Sequence, residues 1–204
     1  MKNLSPKSYF IKVLILVLCF GGLRLPAQDE MLNSSPSTTE EFVEQLKNSA
    51  LLVRLQDKSK TILTLKEKGL EKEAEALASE QRQENREILL SFSKTFNFCP
   101  VYFFYAKDSE AVRNGDLEGV VFNYSLEIVS LQLDKFFTAE FSETPDLGID
   151  GLIIKNQNLL ALKSDLPFFE RRFVFFNLKE RSKAEMIEAY NKKMHDYASL
   201  QETK

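Results

Sequence analysis

Phe96-Asn97-Phe98-Cys99-Pro100-Val101-Tyr102-Phe103-Phe104-Tyr105 is the densest aromatic and β-branched run in the chain, and it divides a helical half from a strand-rich half. Val101–Tyr105 reads as a strand buried on both faces. It is too short for a helix, a proline precedes it, and nothing in it alternates with polar residues.

Upstream of this run the pattern is helical. Thr38 can cap a first helix, with Glu41 three residues on to complete a capping box. Phe42, Leu46, Ala50 and Val53 then fall on one helical face, with a bend or break expected near Asp57-Lys58-Ser59. Lys66-Glu67-Lys68-Gly69 has the chemistry of a helix end: cations in the last turn and a glycine to turn left-handed. A second helix is predicted from about Leu70 to Thr95, its stripe made by Leu70, Ala74, Leu77, Ile88, Phe92 and Phe96. Gln81 and Asn85 interrupt that stripe. Gln81 is expected to overhang into solvent, and Asn85 to be a buried, hydrogen-bonded amide. The short connection at Gly69 makes residues 38–96 a helical hairpin.

Downstream, residues 99–178 read as a sheet. Strands are expected at 119–124, through Leu126–Leu133, at Phe137–Phe141, at Leu152–Ile154 and Leu159–Leu162 as a hairpin, and at Phe173–Leu178. A final helix spans 182–200, opened by the capping pair Ser182 and Glu185 and buried through Ile187, Tyr190, Met194 and Tyr197. Helices first, strands in a run and one closing helix give an α+β class. The expectation is an N-terminal helical hairpin on a largely antiparallel sheet of five to seven strands, followed by a C-terminal helix, all within one domain over 38–204.

The first 27 residues have the layout of a signal peptide. Lys2, Lys7 and Lys12 precede the apolar run Val13–Phe20, and Leu25-Pro26-Ala27 offers a small-residue cleavage site. That run is too short to anchor stably in a hydrocarbon layer of about 30 Å. Cys19 follows Leu18, where a lipidation site wants a small residue. Residues 28–37 are a polar lead-in. Export to the periplasm or beyond is therefore expected, with no stable membrane span after cleavage. Cleavage would remove four of the 27 basic residues and no acid, leaving 23 against 30 and a net charge of −7. Such a surface repels phosphate backbones and argues against a nucleic-acid partner.

Chemical motifs are sparse. One histidine, His195, sits off the buried stripe of its helix and reads as a surface residue. Cleavage leaves one cysteine, Cys99, expected as a buried thiol. No metal or cofactor site is expected, because ligand clusters and Gly-rich phosphate loops are missing from the sequence. No Cys-x-x-Cys pair exists, so a thioredoxin-like protein of this sequence would be inert or work through Cys99 alone. The remaining catalytic option is carboxylate chemistry by Glu140, Asp146 and Asp150 around the turn at Thr144-Pro145, as in a hydrolase or carbohydrate-acting enzyme.

The block Asn85-Arg86-Glu87-Ile88-Leu89 through Phe98–Tyr105 resembles small exported proteins of gram-negative bacteria that have no assigned function. The likeness covers the middle third of the chain, implies export, and brings no functional residue with it. The leading expectation is a non-enzymatic domain that binds a protein partner, or itself, through its helical segment.

Overall fold

The computed structural model describes residues 35–144, 147–174 and 179–202. Residues 1–34, which include the expected signal peptide and most of the lead-in, lie outside that description, as do Asp146 and the 175–178 part of the last predicted strand.

The order is α1 (Thr39–Lys47), β1 (Ala50–Leu55), α2 (Ser59–Glu67), α3 (Glu71–Thr95), β2 (Val101–Tyr105), α4 (Ser109–Asn114), β3 (Phe136–Glu143), β4 (Asp150–Asn156), β5 (Phe169–Arg171), β6 (Phe173–Val174), β7 (Lys179–Glu180) and α5 (Lys183–Glu202). The α+β class holds. Five strands form one sheet in the order β2-β1-β3-β4-β5, and β6 with β7 makes a separate two-stranded ribbon. The sheet is mixed, which corrects the largely antiparallel expectation. β1 runs parallel to both β2 and β3, whereas β3–β4 and β4–β5 are antiparallel.

The second correction concerns β1 itself. Residues 50–55 belong to the central strand and not to a continuing first helix. The helix stops at Lys47, where Asn48 and Ser49 turn the chain. Leu46, Ala50 and Val53 do keep helical spacing. Yet Ala50-Leu51-Leu52-Val53 is apolar at every position and buried at every position, as a strand covered on both faces must be.

Strand alternation then sorts the side chains. Leu51, Val53 and Leu55 of β1, with Phe103, Phe137 and Ile154, face a core closed by Phe42 of α1, Phe92 of α3 and Tyr190 of α5. Each fully buried side chain of this size contributes roughly 1.5–3 kcal/mol. Leu52, Phe104 and Phe136 point the other way, onto Val112 of α4 and Leu117 and Val121 of the loop behind it. That loop replaces two predicted strands. Between 119 and 133 only Phe122 and Ile128 make isolated bridges, Phe122 exchanging both backbone hydrogen bonds with Phe103 at 2.9 Å. Leu159–Leu162 likewise makes one bridge, Ala161 to Lys155, and no full hairpin. On β4, Gly151 meets β5 so closely that a methyl group would strike the Glu170 carbonyl and the Phe169 ring.

Both predicted capping pairs form, one of them shifted. Ser182 and Glu185 satisfy each other's N–H groups at the start of α5. Thr38 accepts from the Glu41 N–H at 3.1 Å, but the Glu41 carboxylate reaches back one residue further, to the Ser37 N–H at 2.7 Å.

The helical segment 59–95 is a hairpin of α2 and α3. Lys58, at the start of α2, bonds Gln81, while its far end at Leu65 bonds Leu70, so the two helices run antiparallel. Gly69 makes the turn at φ +73°, a conformation that L side chains adopt rarely.

Candidate binding site

Carboxylate chemistry needs two acids facing one cleft. In the β3–β4 register Glu140 lies opposite Ile153 and Asp150 opposite Glu143. Side chains alternate along each strand, so Glu140 and Asp150 project from opposite faces of the sheet, three rungs apart. Asp146 lies outside the described residues. The two described acids are also engaged. Glu140 accepts from Arg54 at 2.8 Å and from Lys155, and Ser142 donates to it at 3.0 Å. Burial alone would raise its pKa. The hydrogen bonds and charges of Lys155 and Arg54 outweigh burial and hold the carboxyl below its ordinary value. Asp150 pairs with Arg172 at 2.7 Å. This is the pattern of a braced sheet: Glu170, buried on β5, holds Arg181 and Lys193 in the same manner.

Cys99 is buried just before β2, and burial pushes its thiol up to about 12, so it stays protonated at neutral pH. His195 is exposed, but not idle. Its ring meets Phe98 edge-on at 5.2 Å and its Nε2 lies 2.8 Å from Asn97 Oδ1, tying α5 to the turn before β2.

A roomier cleft among the described residues lies elsewhere, at the carboxyl end of β2. There the chain leaving β1 runs through α2 into α3, which packs on one face of the sheet, and the chain leaving β2 enters α4 on the other. In sheets with parallel strands, such diverging exits leave a crevice where ligands bind. The cleft holds about 690 Å³ between α3, the end of β2 and the loop at 123–127. Leu89, Leu90, Tyr105, Tyr124 and Leu126 supply apolar walls, and Arg82, Arg86 and Lys107 supply positive charge.

Each wall is positioned from below. Gln81 and Asn85, four apart on α3, grip the connection out of β1. Asn85 accepts from the Gln56 N–H at 3.0 Å and donates to the Gln56 carbonyl at 2.9 Å. Gln81 accepts from the Lys58 N–H at 2.5 Å, so it is half-buried and bonded and does not overhang. Tyr124 packs edge-on against Phe103 at 5.2 Å, and burial pushes its hydroxyl up to about 12. The loop is folded around Asn123, whose Oδ1 accepts from the N–H groups of Ser125 and Glu127. This turn puts Leu126 at φ +64°, a costly state for a branched side chain, and leaves it displayed at the cleft mouth. Lys107 Nζ stands 5.8 Å from the Tyr105 ring centre.

Among the described residues, no ion pair involves Arg82, Arg86 or Lys107, and Asp57 is the one acid in the lining. The Asp57 carboxylate already accepts from the Ser59 N–H at 2.8 Å, and the Ser59 side chain first, then that N–H and the nearby charge of Lys107, hold its pKa below the ordinary value against a smaller effect of burial. The sequence reading did not select these cations. A usable signal was there: Arg82 and Arg86 are four apart, and neither has an acid at the three- or four-residue spacings where helical ion pairs form. Lys107 and Tyr124 carry no such signal, since only the fold brings them to α3.

No helix among the described residues is long and apolar enough to cross a membrane. No family model matches the chain, and no curated protein or solved structure matches it either.

Proposed function

We propose that the chain is an exported, non-enzymatic binding domain that takes a protein partner on its helical segment, in the cleft between α3 and the 123–127 loop. One observation carries this reading: displayed apolar groups and unpaired cations converge on one cleft. Leu90, Tyr124 and Leu126 are 45%, 39% and 57% exposed, although all three are large hydrophobic residues. Tyrosine, arginine and apolar anchors are what protein interfaces concentrate at their centres. Export rests on residues 1–27 of the sequence. The non-enzymatic reading rests on the absence of a catalytic motif from the sequence and on the separation of Glu140 from Asp150.

Photo-crosslinking from position 126 in cells that express the chain tests the partner. A discrete adduct from position 126, lost in the R82E/R86E double variant and not formed from the exposed position 200, is the expected result. An adduct of twice the chain's mass would identify a second copy as the partner. Adducts that form equally from positions 126 and 200, or none at all, would refute the reading. Mass spectrometry tests export: the mature protein should begin at Gln28, and a product retaining Lys2 would overturn that part.

A further inference from the structure

We infer that the cleft accepts an acidic peptide segment, one in which carboxylates flank an apolar side chain. The inference rests on the binding reading above and specifies the partner's chemistry.

The argument begins with how the chain distributes its charge. Acids outnumber bases, 30 to 27. The cations that brace the fold have their partners: Arg54 and Lys155 on Glu140, Arg181 and Lys193 on Glu170, Arg172 on Asp150, and Lys183 on Glu84 and Glu87. Even α3 supplies acids to α5 through that last pair. On the face it turns to the cleft it presents Arg82 and Arg86 together, one turn apart. Like charges at this spacing repel, and an anion lying across both removes the repulsion while gaining two charge-assisted contacts. Lys107 comes from the far wall, so the positive field spans the cleft and is not confined to one helix face.

The apolar walls require more than a bare anion. Leu89 and Tyr105, both half-buried, provide a floor on which an aliphatic or aromatic side chain can be desolvated. The choice between a small molecule and a chain segment follows from enclosure. Small-molecule sites cover roughly 70–90% of their ligand. Here the walls Leu90 and Leu126 stand half in solvent, so a compact ligand would be left largely uncovered. A peptide can lay one side chain on the floor, set carboxylates against the arginines and Lys107, and continue out over the rim. A long polyanion is disfavoured, because the chain as a whole carries an excess of acid.

The test is an NMR titration of the chain lacking residues 1–27, the form that export would produce, with two capped peptides: Glu-Phe-Asp-Leu-Glu and its neutral counterpart Gln-Phe-Asn-Leu-Gln. The acidic peptide should shift amides of 85–90, 105–107 and 124–126 and bind at least about tenfold more tightly than the neutral one. That preference should collapse between about 50 and about 500 mM salt, because rim charges are screened. R82Q/R86Q should lose about tenfold in affinity for the acidic peptide, with unchanged spectra away from the cleft, since neither arginine braces the fold. Equal binding of both peptides would overturn the acidic specificity while leaving the cleft as a binding site. No cleft shifts with either peptide would overturn the inference, and the crosslinking from position 126 would then decide the broader reading by itself. A titration with 2-naphthoate that outcompetes the acidic peptide would make the occupant a small anion and also overturn it.

Discussion

The two halves of α3 share one helix and one sequence stripe, yet live in different surroundings. From Asn85 to Phe96 the stripe is covered: Ile88, Phe92 and Phe96 sit in the main core between the sheet and α5. From Glu71 to Glu84 only Ala74 is fully buried, and Leu70, which begins the stripe, is 40% exposed. The partner changes at Asn85. Beyond it the helix packs on the sheet, and before it on α2, a helix with no buried residue at all. The inner half is core, and the outer half is an arm whose stability is local. The cleft sits at the joint, where the helix is rigid enough to fix Arg86 and free enough to display it.

The largest expected effect is in the inner half. Phe92→Ala removes a fully buried ring that packs edge-on with both Phe96 and Phe103, and should cost about 3–5 kcal/mol in urea denaturation. Leu70→Ala, at the other end of the same stripe, should stay within about 0.5 kcal/mol of wild type. Comparable losses at the two positions would erase the distinction between core and arm. Hydrogen exchange gives an independent reading: amides of 60–80 should exchange by local opening, well before those of 86–95.

Asn85→Ala comes next, at about 1–3 kcal/mol. This amide is 7% exposed and satisfies both the N–H and the carbonyl of Gln56, so its loss removes the partner of two backbone groups at the exit of β1. A denaturation midpoint within error of wild type would mean that water replaces the amide without penalty, and that the joint is loose.

Much of this was legible before any coordinates. The strand Val101–Tyr105, the helix over 71–95, the closing helix and the burial of Asn85 follow from run length, periodicity and capping chemistry. The central strand was not. Ala50-Leu51-Leu52-Val53 satisfies two templates at once, because a strand buried on both faces has no alternation to betray it and Leu46, Ala50 and Val53 happen to keep helical spacing. Missing β1 also hid the parallel pairing, since a strand between two parallel neighbours can be placed only after it is seen. The placement of the two described acids was hidden for a related reason. Proximity in sequence placed Glu140 and Asp150 around one turn, whereas strand alternation put them on opposite faces. The cleft was legible only as the missing acids around Arg82 and Arg86; its other wall comes from residues 105–126 through tertiary folding.

Gly69→Ala should have a smaller, local effect. A methyl group meets no neighbour there, so the cost is conformational alone, about 1 kcal/mol for holding a φ of +73°. Because the turn belongs to the arm, that cost should speed exchange of 60–80 while leaving the global midpoint nearly in place. A full shift of the midpoint would show that the arm unfolds together with the core.

The smallest effect, and the most discriminating, is expected at Gln81. It lies one turn before Asn85 on the same face of α3 and grips the same connection, two residues further along, through the Lys58 N–H at 2.5 Å. On the helical wheel the two amides share one stripe. They differ in what replaces them. Both line the cleft, but Gln81 bonds one backbone group and not two, and it is half-buried where Asn85 is buried, so water can more readily reach the Lys58 N–H once the side chain is gone. A net hydrogen bond of this kind contributes at most about 1 kcal/mol. Gln81→Ala should therefore cost less than half of what Asn85→Ala costs, and most of that should appear as faster exchange in α2, whose first turn the bond holds in place. If Gln81→Ala matched Asn85→Ala in global stability, the arm would have to be coupled to the core across the whole joint. The cleft would then be a rigid wall, and its arginines could not adjust to an incoming segment without straining the sheet.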